Sequence, residues 1–254
     1  MEHFYQDLLG FATKEEQGEL LDTNMKKCLI LTIGAQITPW DKMLQTSLDT
    51  WDSVEVEGIE NVFFCGNPVK ENTDKIIYFP IEESYYTMSK KFICALEWAL
   101  KNKEFDYILR VNSSTYVDKK ILAEYIKTFD DKNVFAGIEV DANPKWCVGW
   151  AYIISKDVIQ NIVEHKDLLR NDITDDLAIS YLINNLQIPY TKLRMASIDA
   201  REESWACVSY NGCQSFDFID FADLRNKEIP LYRVKFDSDR NVDAFLMNQL
   251  YLNL

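Results

Sequence analysis

Short apolar runs alternate with stretches of helical spacing along most of this chain, and that alternation constrains the fold more than any other feature. Residues 28–34 and 107–111 have the apolar character of strands buried on both faces of a sheet. Between such runs, residues 84–101 place apolar side chains at helical spacing. Strands that alternate with helices form a mainly parallel sheet covered on both faces. We therefore expect one α/β domain over 27–254, with a mixed, mainly parallel, twisted sheet, preceded by an acidic arm at 1–26.

The charge and composition of the chain exclude several classes of protein. Its 254 residues carry a net charge of −14, whereas a nucleic-acid partner needs a basic face. No apolar run approaches the roughly 20 residues that span a bilayer, and the first residues lack the pattern of a signal peptide. The six cysteines form no CxxC pair, and two histidines argue against a His-based zinc site or a Ser-His-Asp triad. We expect a soluble protein of a reducing compartment, with no nucleic-acid partner and no membrane span.

A run of small polar residues ends the strand at 107–111. Asn112, Ser113 and Ser114 follow the strand directly, and Asp118 comes shortly after them. In open α/β sheets, ligands bind at the carboxyl ends of the strands. Asn and Ser are also common in solvated turns, so these residues alone leave a ligand site and a turn equally open.

Two further groups of residues have both a structural and a functional interpretation. Asp172, Thr174 and Asp175 precede an apolar run, where one of them is expected to cap a helix and a second carboxylate could act in catalysis. Trp146 and Trp150 belong either to the core or to a platform for a sugar ring. The residue types alone do not decide between these roles.

Positive charge in the last part of the chain is concentrated near its end. Arg233 and Lys235 alternate on a predicted strand and so share one side, and Arg240 follows shortly. These cations either form a solvated sheet face or lie beside an anionic ligand. Residues 200–228 are the least regular segment and could be a mobile loop over a cleft. The chain has no GxGxxG or P-loop motif, so a glycine-rich phosphate loop is not expected.

Taken in order, these segments resemble the β-1,3-galactosyltransferase and Fringe-like glycosyltransferases and their soluble viral and bacterial relatives. The family's markers have these counterparts here: Thr50-Trp51 at the end of the first helix; residues 83–91, Glu-Ser-Tyr-Tyr-Thr-Met-Ser-Lys-Lys; Trp98 at the end of the next helix; residues 112–117, Asn-Ser-Ser-Thr-Tyr-Val, in place of Asp-Asp-Asp-x-Phe-Val; residues 146–155, Trp-Cys-Val-Gly-Trp-Ala-Tyr-Ile-Ile-Ser; and residues 175–180, Asp-Asp-Leu-Ala-Ile-Ser. Each motif is loose, and the resemblance depends on their common order and spacing over about residues 28–195.

The resemblance implies a single GT-A-type domain with a Rossmann-like nucleotide half. It implies an inverting hexosyltransferase that moves a sugar from a UDP- or GDP-type nucleotide sugar to a hydroxyl of a glycan or other acceptor. In that family the second acidic position supplies the base, which is Asp176 here, with Asp175 as the next candidate. The implied donor-binding residues are Asn112, Ser113, Ser114, Lys91, Arg233, Lys235 and Arg240, and the implied sugar or acceptor pocket consists of Trp146, Gly149 and Trp150. We expect a microbial or viral enzyme of the cytoplasm.

The metal motif departs from the family pattern. Asn-Ser-Ser replaces three aspartates, and neutral oxygens are weaker ligands for Mg²⁺ or Mn²⁺ than carboxylates are. Either the metal is weakly required or not required, or Asp118 substitutes as its ligand, or the protein is a non-catalytic relative that binds nucleotide sugars or glycans. The acidic pair at 175–176 argues against the third alternative. A glycosyltransferase that acts on modified DNA bases is a further rival, which the net charge disfavours.

Overall fold

Two β-sheets organise the part of the chain that the structure describes. The computed structural model covers residues 25–67, 70–201, 205–210, 213–218, 221–236 and 239–254. The predicted N-terminal arm at 1–26 therefore lies almost entirely outside the described residues.

The strands and helices within these ranges follow the expected alternation. The strands are β1 (Cys28–Ile33), β2 (Ile59–Gly66), β3 (Ile76–Phe79), β4 (Tyr107–Asn112), β5 (Thr115–Val117), β6 (Phe135–Val140), β7 (Trp146–Ser155), β8 (Tyr190–Lys192), β9 (Ala196–Arg201), β10 (Trp205–Tyr210), β11 (Cys213–Phe218) and β12 (Leu231–Lys235). The α-helices are α1 (Trp40–Asp49), α2 (Met88–Asn102), α3 (Lys119–Ile126), α4 (Lys156–Glu164), α5 (Asp175–Asn185), α6 (Phe221–Asn226) and α7 (Asn241–Asn253). None of these helices is long and apolar enough to cross a membrane.

The larger sheet has the strand order β3-β2-β1-β4-β7-β6-β8. Strands β3, β2, β1 and β4 are parallel, β7 runs antiparallel between β4 and β6, and β8 is parallel to β6. All six residues of β1 are buried, as expected of a strand that is covered on both faces. This mixed, mainly parallel sheet confirms the predicted α/β class.

Different layers cover the two faces of the larger sheet. On one face, α2, α4 and α5 contribute Phe92, Val158 and Ala178 to a core cluster that also contains Leu29 of β1. On the other face, α3, α7 and the smaller sheet form a second cluster around Ile30. Burial of these apolar side chains, at about 25 cal/mol for each Å² removed from water, is the main force that holds the layers together.

The smaller sheet has the order β11-β10-β9-β12-β5. Its presence shows that the loop considered for 200–228 is wrong, because β10, β11 and α6 occupy most of that segment. Strand β10 pairs with β9 and β11 as antiparallel neighbours in the chain. Strands of this kind are stabilised mainly by pairing with their immediate neighbours. Polar residues interrupt β11, so the segment lacks the long apolar run by which a buried strand is recognised in a sequence.

The carboxyl ends of the parallel strands form one edge of the larger sheet. Strands β1 and β4 end in register there, with Ile33 opposite Asn112. Helices α2 and α5 also begin at this edge. Each runs back to the opposite edge of the sheet, where the next parallel strand begins, which is β4 after α2 and β8 after α5. The turn at 113–114 leads from β4 directly into β5, so the same edge adjoins the smaller sheet.

Candidate active site

The two neighbouring aspartates at the start of α5 have different surroundings. Asp175 is only 2% exposed, and it forms an ion pair with the Arg110 guanidinium. Burial raises the pKa of Asp175, whereas the charge of Arg110 opposes that rise. Asp176 is partly exposed. Of the two carboxylates, only that of Asp176 is accessible to a substrate.

Hydrogen bonds hold both oxygens of the Asp176 carboxylate. Its Oδ1 accepts the backbone N–H of Leu177 at 2.9 Å and the hydroxyl of Thr174. Its Oδ2 accepts the backbone N–H of Gly149 at 3.0 Å. The expected capping takes a different form, because Thr174 is the N-cap residue of α5 but its hydroxyl bonds to Asp176 and not to a backbone N–H. The carboxylate is thus fixed in direction before any substrate binds.

Gly149 is required at its position by the close approach of Asp176. A Cβ added to Gly149 would lie 2.9 Å from Asp176 Oδ2 and 3.0 Å from Asp176 Cβ, which is closer than ordinary contacts of 3.4 Å or more. Gly149 thus lies against Asp176, and its place in a sugar or acceptor pocket, which the resemblance implies, stays a prediction. Its contact is with the candidate base, and this gives the glycine a role in positioning that base.

Arg110 is a residue of the site that none of the sequence motifs indicates. It lies in the middle of β4, is completely buried, and donates hydrogen bonds to the Asp175 carboxylate and to the carbonyl of Gly149. Its guanidinium also lies 5.2 Å from the centre of the Tyr152 ring. A lone arginine in an apolar strand was the available signal, since a buried cation needs a buried counter-charge.

The predicted donor-binding residues of the β4–β5 turn are brought together with cations from the end of the chain. Ser113 and Ser114 are buried, and the Ser114 carbonyl accepts the backbone N–H of Val234 at 2.9 Å. Arg240 Nη2 lies 3.2 Å from Ser114 Oγ. In the pairing of β12 with β5, Arg233 stands opposite Thr115. The fold thus joins two segments of the predicted site that are more than a hundred residues apart.

The cations of this group differ in burial. Arg233 is only 6% exposed, so the solvated sheet face considered for it is wrong, because pairing with β5 buries the strand. Arg240 is partly exposed and forms an ion pair with Asp243 at 2.8 Å. Lys235 is partly exposed at the end of β12. Arg240 is a cation that the structure places in contact with the turn, through Ser114 Oγ.

Trp150 connects the turn with the acidic pair. Its backbone carbonyl accepts the Thr115 hydroxyl at 3.2 Å, and it directly follows Gly149 in β7. Its side chain packs against the core on the side of the smaller sheet. Trp146 lies four residues earlier in β7, which corresponds to about 13 Å along an extended strand. The structure thus brings Trp150 to the candidate site, while Trp146 begins the same strand on the carboxyl side of the sheet. A place for either tryptophan in a sugar or acceptor pocket stays a prediction.

Lys91 lies at the same edge of the sheet, inside a buried ion pair. Its Nζ donates to the Gly34 carbonyl at 3.0 Å and to Glu83 Oε2 at 2.7 Å. Glu83 Oε1 in turn accepts the backbone N–H of Gly66 at 2.5 Å. The pair ties α2 to the residues that end β1 and β2. A role for Lys91 in donor binding stays a prediction.

The residues around the turn do not fit a divalent cation well. Asn112, Ser113 and Ser114 offer neutral oxygens, and Asp118 Oδ1 caps α3 by accepting the N–H groups of Lys120 and Ile121, each at 3.1 Å. Among the described residues, no three His, Cys, Asp or Glu side chains are grouped so that they could hold a metal ion. Mg²⁺ and Mn²⁺ favour carboxylate oxygens, and the turn offers none.

Comparison with known proteins bears on the fold. No protein family matches the sequence, and no curated protein is significantly similar to it. A solved glycosyltransferase involved in the glycosylation of the major capsid of PBCV-1 matches the structure with a TM-score of 0.52 and 10% identity, over 88% of this chain and 99% of that chain. This match confirms the predicted single-domain GT-A-type glycosyltransferase fold.

Two further solved structures match over smaller parts. One is a Drosophila β-1,4-galactosyltransferase 7 variant in complex with manganese, UDP-Gal and xylobiose, with a TM-score of 0.43 and 9% identity over 65% of this chain and 64% of that chain. The other is the mannosyltransferase PcManGT from Pyrobaculum calidifontis in complex with GDP-Man and Mn²⁺, with a TM-score of 0.43 and 12% identity over 67% of this chain and 55% of that chain.

Proposed function

We propose that the protein is a glycosyltransferase that moves a sugar from a nucleotide sugar to a hydroxyl of an acceptor, with inversion at the anomeric carbon. The observation that carries this proposal is the partly exposed Asp176 carboxylate, held by the N–H groups of Gly149 and Leu177 at the carboxyl edge of the sheet. The β4–β5 turn with Arg240 lies at the same edge. A fixed carboxylate near a site that can bind phosphate is the arrangement that sugar transfer from a nucleotide diphosphate needs.

Asp176 acts as the general base. It takes the proton of the acceptor hydroxyl as the acceptor oxygen attacks the anomeric carbon of the donor. The new bond joins that carbon to the acceptor oxygen, and the bond from the carbon to the phosphate oxygen breaks. The electron pair of the broken bond leaves with the nucleoside diphosphate. One such in-line displacement inverts the configuration, and general-base catalysis typically contributes ~10²–10⁴-fold.

Asp175 has a supporting role. Its buried ion pair with Arg110 neutralises the second carboxylate of the acidic pair. The same guanidinium holds the carbonyl of Gly149, whose N–H holds Asp176. Arg110 is therefore a positioning residue for the base and does not itself meet the substrate.

The leaving diphosphate develops negative charge that donors at the edge must stabilise. Arg240 is the first candidate, because it already lies beside Ser114. Arg233 and Lys235 of β12 are further candidates, and Asn112, Ser113 and Ser114 would add uncharged donors. An arginine that approaches a diphosphate forms charge-assisted hydrogen bonds, which are stronger than neutral ones.

A screen of nucleotide sugars tests the proposal. Thermal shift with UDP- and GDP-sugars, with and without Mn²⁺, identifies a donor because a bound ligand raises the melting temperature by mass action. Incubation of that donor with a panel of glycans, followed by NMR of the product linkage, then measures transfer and stereochemistry. We expect release of nucleoside diphosphate and an inverted linkage. Donor binding without any release would point to a non-catalytic relative, and a retained configuration would refute the role of Asp176.

A further inference from the structure

Two neighbouring tyrosines have exposed rings in a turn at the edge of the sheet where the candidate site lies. Tyr85 is 62% exposed and Tyr86 is 72% exposed, although both are large aromatic residues. Their ring centres are 6.2 Å apart and the rings are nearly perpendicular. Large exposed aromatic side chains that lie together are typical of binding surfaces.

The turn that carries the two rings is held in place by its flanking residues. Ser84 Oγ accepts the backbone N–H of Tyr86 at 3.2 Å. On the other side, the Thr87 hydroxyl donates to the carbonyls of Glu82 at 2.6 Å and Ser84 at 2.9 Å. The rings therefore extend from a fixed backbone, which lowers the entropy lost when a ligand binds to them.

Topology places this turn at the same edge of the larger sheet as the candidate base. The turn directly precedes α2, whose first residue is Met88, and Asp175 and Asp176 begin α5. Both helices start at the carboxyl edge of the larger sheet, and they pack against each other in one core cluster. Partial burial raises the pKa of the Tyr85 phenol, and the charge of Asp176 raises it further, so the two side chains are within electrostatic range.

The position of Tyr85, at the same edge as the base and within electrostatic range of it, indicates which substrate it meets. In an in-line displacement, the attacking hydroxyl and the leaving phosphate lie on opposite sides of the transferred sugar. The base must contact the attacking hydroxyl, so the acceptor occupies the space beside Asp176. A pyranose has one face of C–H groups, which packs on an aromatic ring, and hydroxyls at its rim, which can bond to a phenol.

We infer that Tyr85, with Tyr86 beside it, forms a platform for a pyranose ring of the acceptor. The inference rests on the proposed function, in which Asp176 deprotonates that acceptor. The acceptor is accordingly a carbohydrate, bound by ring stacking on Tyr85 with its reactive hydroxyl toward Asp176. The phenol hydroxyl contributes less than the ring.

Saturation-transfer difference NMR tests the platform without any need for turnover. The probes are methyl β-galactopyranoside, methyl β-glucopyranoside and methyl α-mannopyranoside, each at millimolar concentration with UDP present. We expect at least one of them to receive saturation at its C–H protons from the wild-type protein and from Tyr85→Phe. Tyr85→Ala should abolish that signal. Tyr251→Ala is the matched control, because Tyr251 is also exposed but lies on α7.

Transfer kinetics provide the second measurement. Tyr85→Ala should raise the KM for the acceptor on the order of tenfold, which corresponds to about 1.4 kcal/mol, while the KM for the donor stays the same. The platform is refuted if no glycoside binds to the wild-type protein, or if Tyr85→Ala changes neither the NMR signal nor the acceptor KM. Glycosides that bind through Tyr85 without ever being glycosylated would support the platform and refute the transferase function.

Discussion

Substitution of Gly149 by alanine is expected to reduce turnover while leaving the fold intact. The added Cβ would lie 2.9 Å from Asp176 Oδ2, whereas ordinary contacts begin near 3.4 Å, so the carboxylate must retreat by about 0.5 Å. That movement weakens the 3.0 Å hydrogen bond from the Gly149 N–H. A misplacement of about 1 Å costs roughly 10²-fold in rate, so we expect a loss of about tenfold or more in kcat.

The control for this prediction is Gly137→Ala in β6. A Cβ on Gly137 would lie 2.6 Å from Cys147 Sγ and 2.9 Å from Cys147 Cβ, inside the buried sheet, and neither Asp175 nor Asp176 is among the atoms nearest to it. Overpacking of that kind costs about 1–3 kcal/mol of stability. The obstruction at Gly149 is the partly exposed Asp176 side chain, from its Cβ to its carboxylate, and a small shift of this residue at the start of α5 relieves the clash.

The assay compares kcat with the urea-unfolding free energy for both variants. We expect Gly149→Ala to lose activity at nearly constant stability, and Gly137→Ala to lose stability at nearly constant kcat. The positioning of Asp176 by Gly149 is refuted if Gly149→Ala has the same kcat as the wild-type protein. It is also refuted if, in both variants, the loss of activity simply follows the loss of stability.

Three further predictions concern the charges of the site. Arg110→Met leaves the Asp175 carboxylate buried without its counter-ion, so we expect a loss on the order of 3–5 kcal/mol at neutral pH. Since burial already raises the pKa of Asp175 and loss of the cation raises it further, the folded variant binds a proton that the unfolded chain has released. Its stability therefore falls as pH rises, and urea unfolding at about pH 5 and about pH 8 should show a larger deficit at the higher pH. Arg240→Gln should weaken binding of the nucleoside diphosphate by about 1–3 kcal/mol without affecting the nucleoside, and calorimetry that shows equal losses for both ligands would count against a phosphate contact. Activity should survive EDTA or need millimolar cation, because neutral oxygens line the turn; complete loss in EDTA with rescue by micromolar Mn²⁺ would point to Asp118 as a ligand.

The layers of the fold follow from patterns that are local in the sequence. Buried strands such as β1 and β4 are unbroken or nearly unbroken apolar runs, and α2 has apolar residues at helical spacing. The parallel order of these strands also predicts that the site lies at the carboxyl edge of the larger sheet. The hairpin of β10 and β11 could not be predicted in this way, because its pairing depends on neighbouring strands more than on a run of apolar residues.

The sequence predicts those features of the candidate site that residue type alone indicates. It does not predict those that depend on contacts between distant residues. The acidic pair and the polar turn were found from their residues, but only the structure separates the buried Asp175 from the accessible Asp176. The contact of Arg240 with Ser114 joins residues 126 apart in the chain, which no local pattern reveals. Arg110 is recognisable in the sequence as a charge inside an apolar strand, but only the structure identifies Asp175 as its partner.

The central claim is tested most directly by measuring two quantities for Asp176→Asn, its kcat and its affinity for the donor. The amide keeps the size of the side chain but cannot take a proton, so kcat should fall by ~10²–10⁴-fold while calorimetry shows donor affinity near that of the wild-type protein. Asp172→Asn is the matched control, because Asp172 is exposed and pairs with Arg170 outside the site. If Asp176→Asn keeps more than about a tenth of the wild-type kcat, Asp176 is not the base, since a lost general base removes far more.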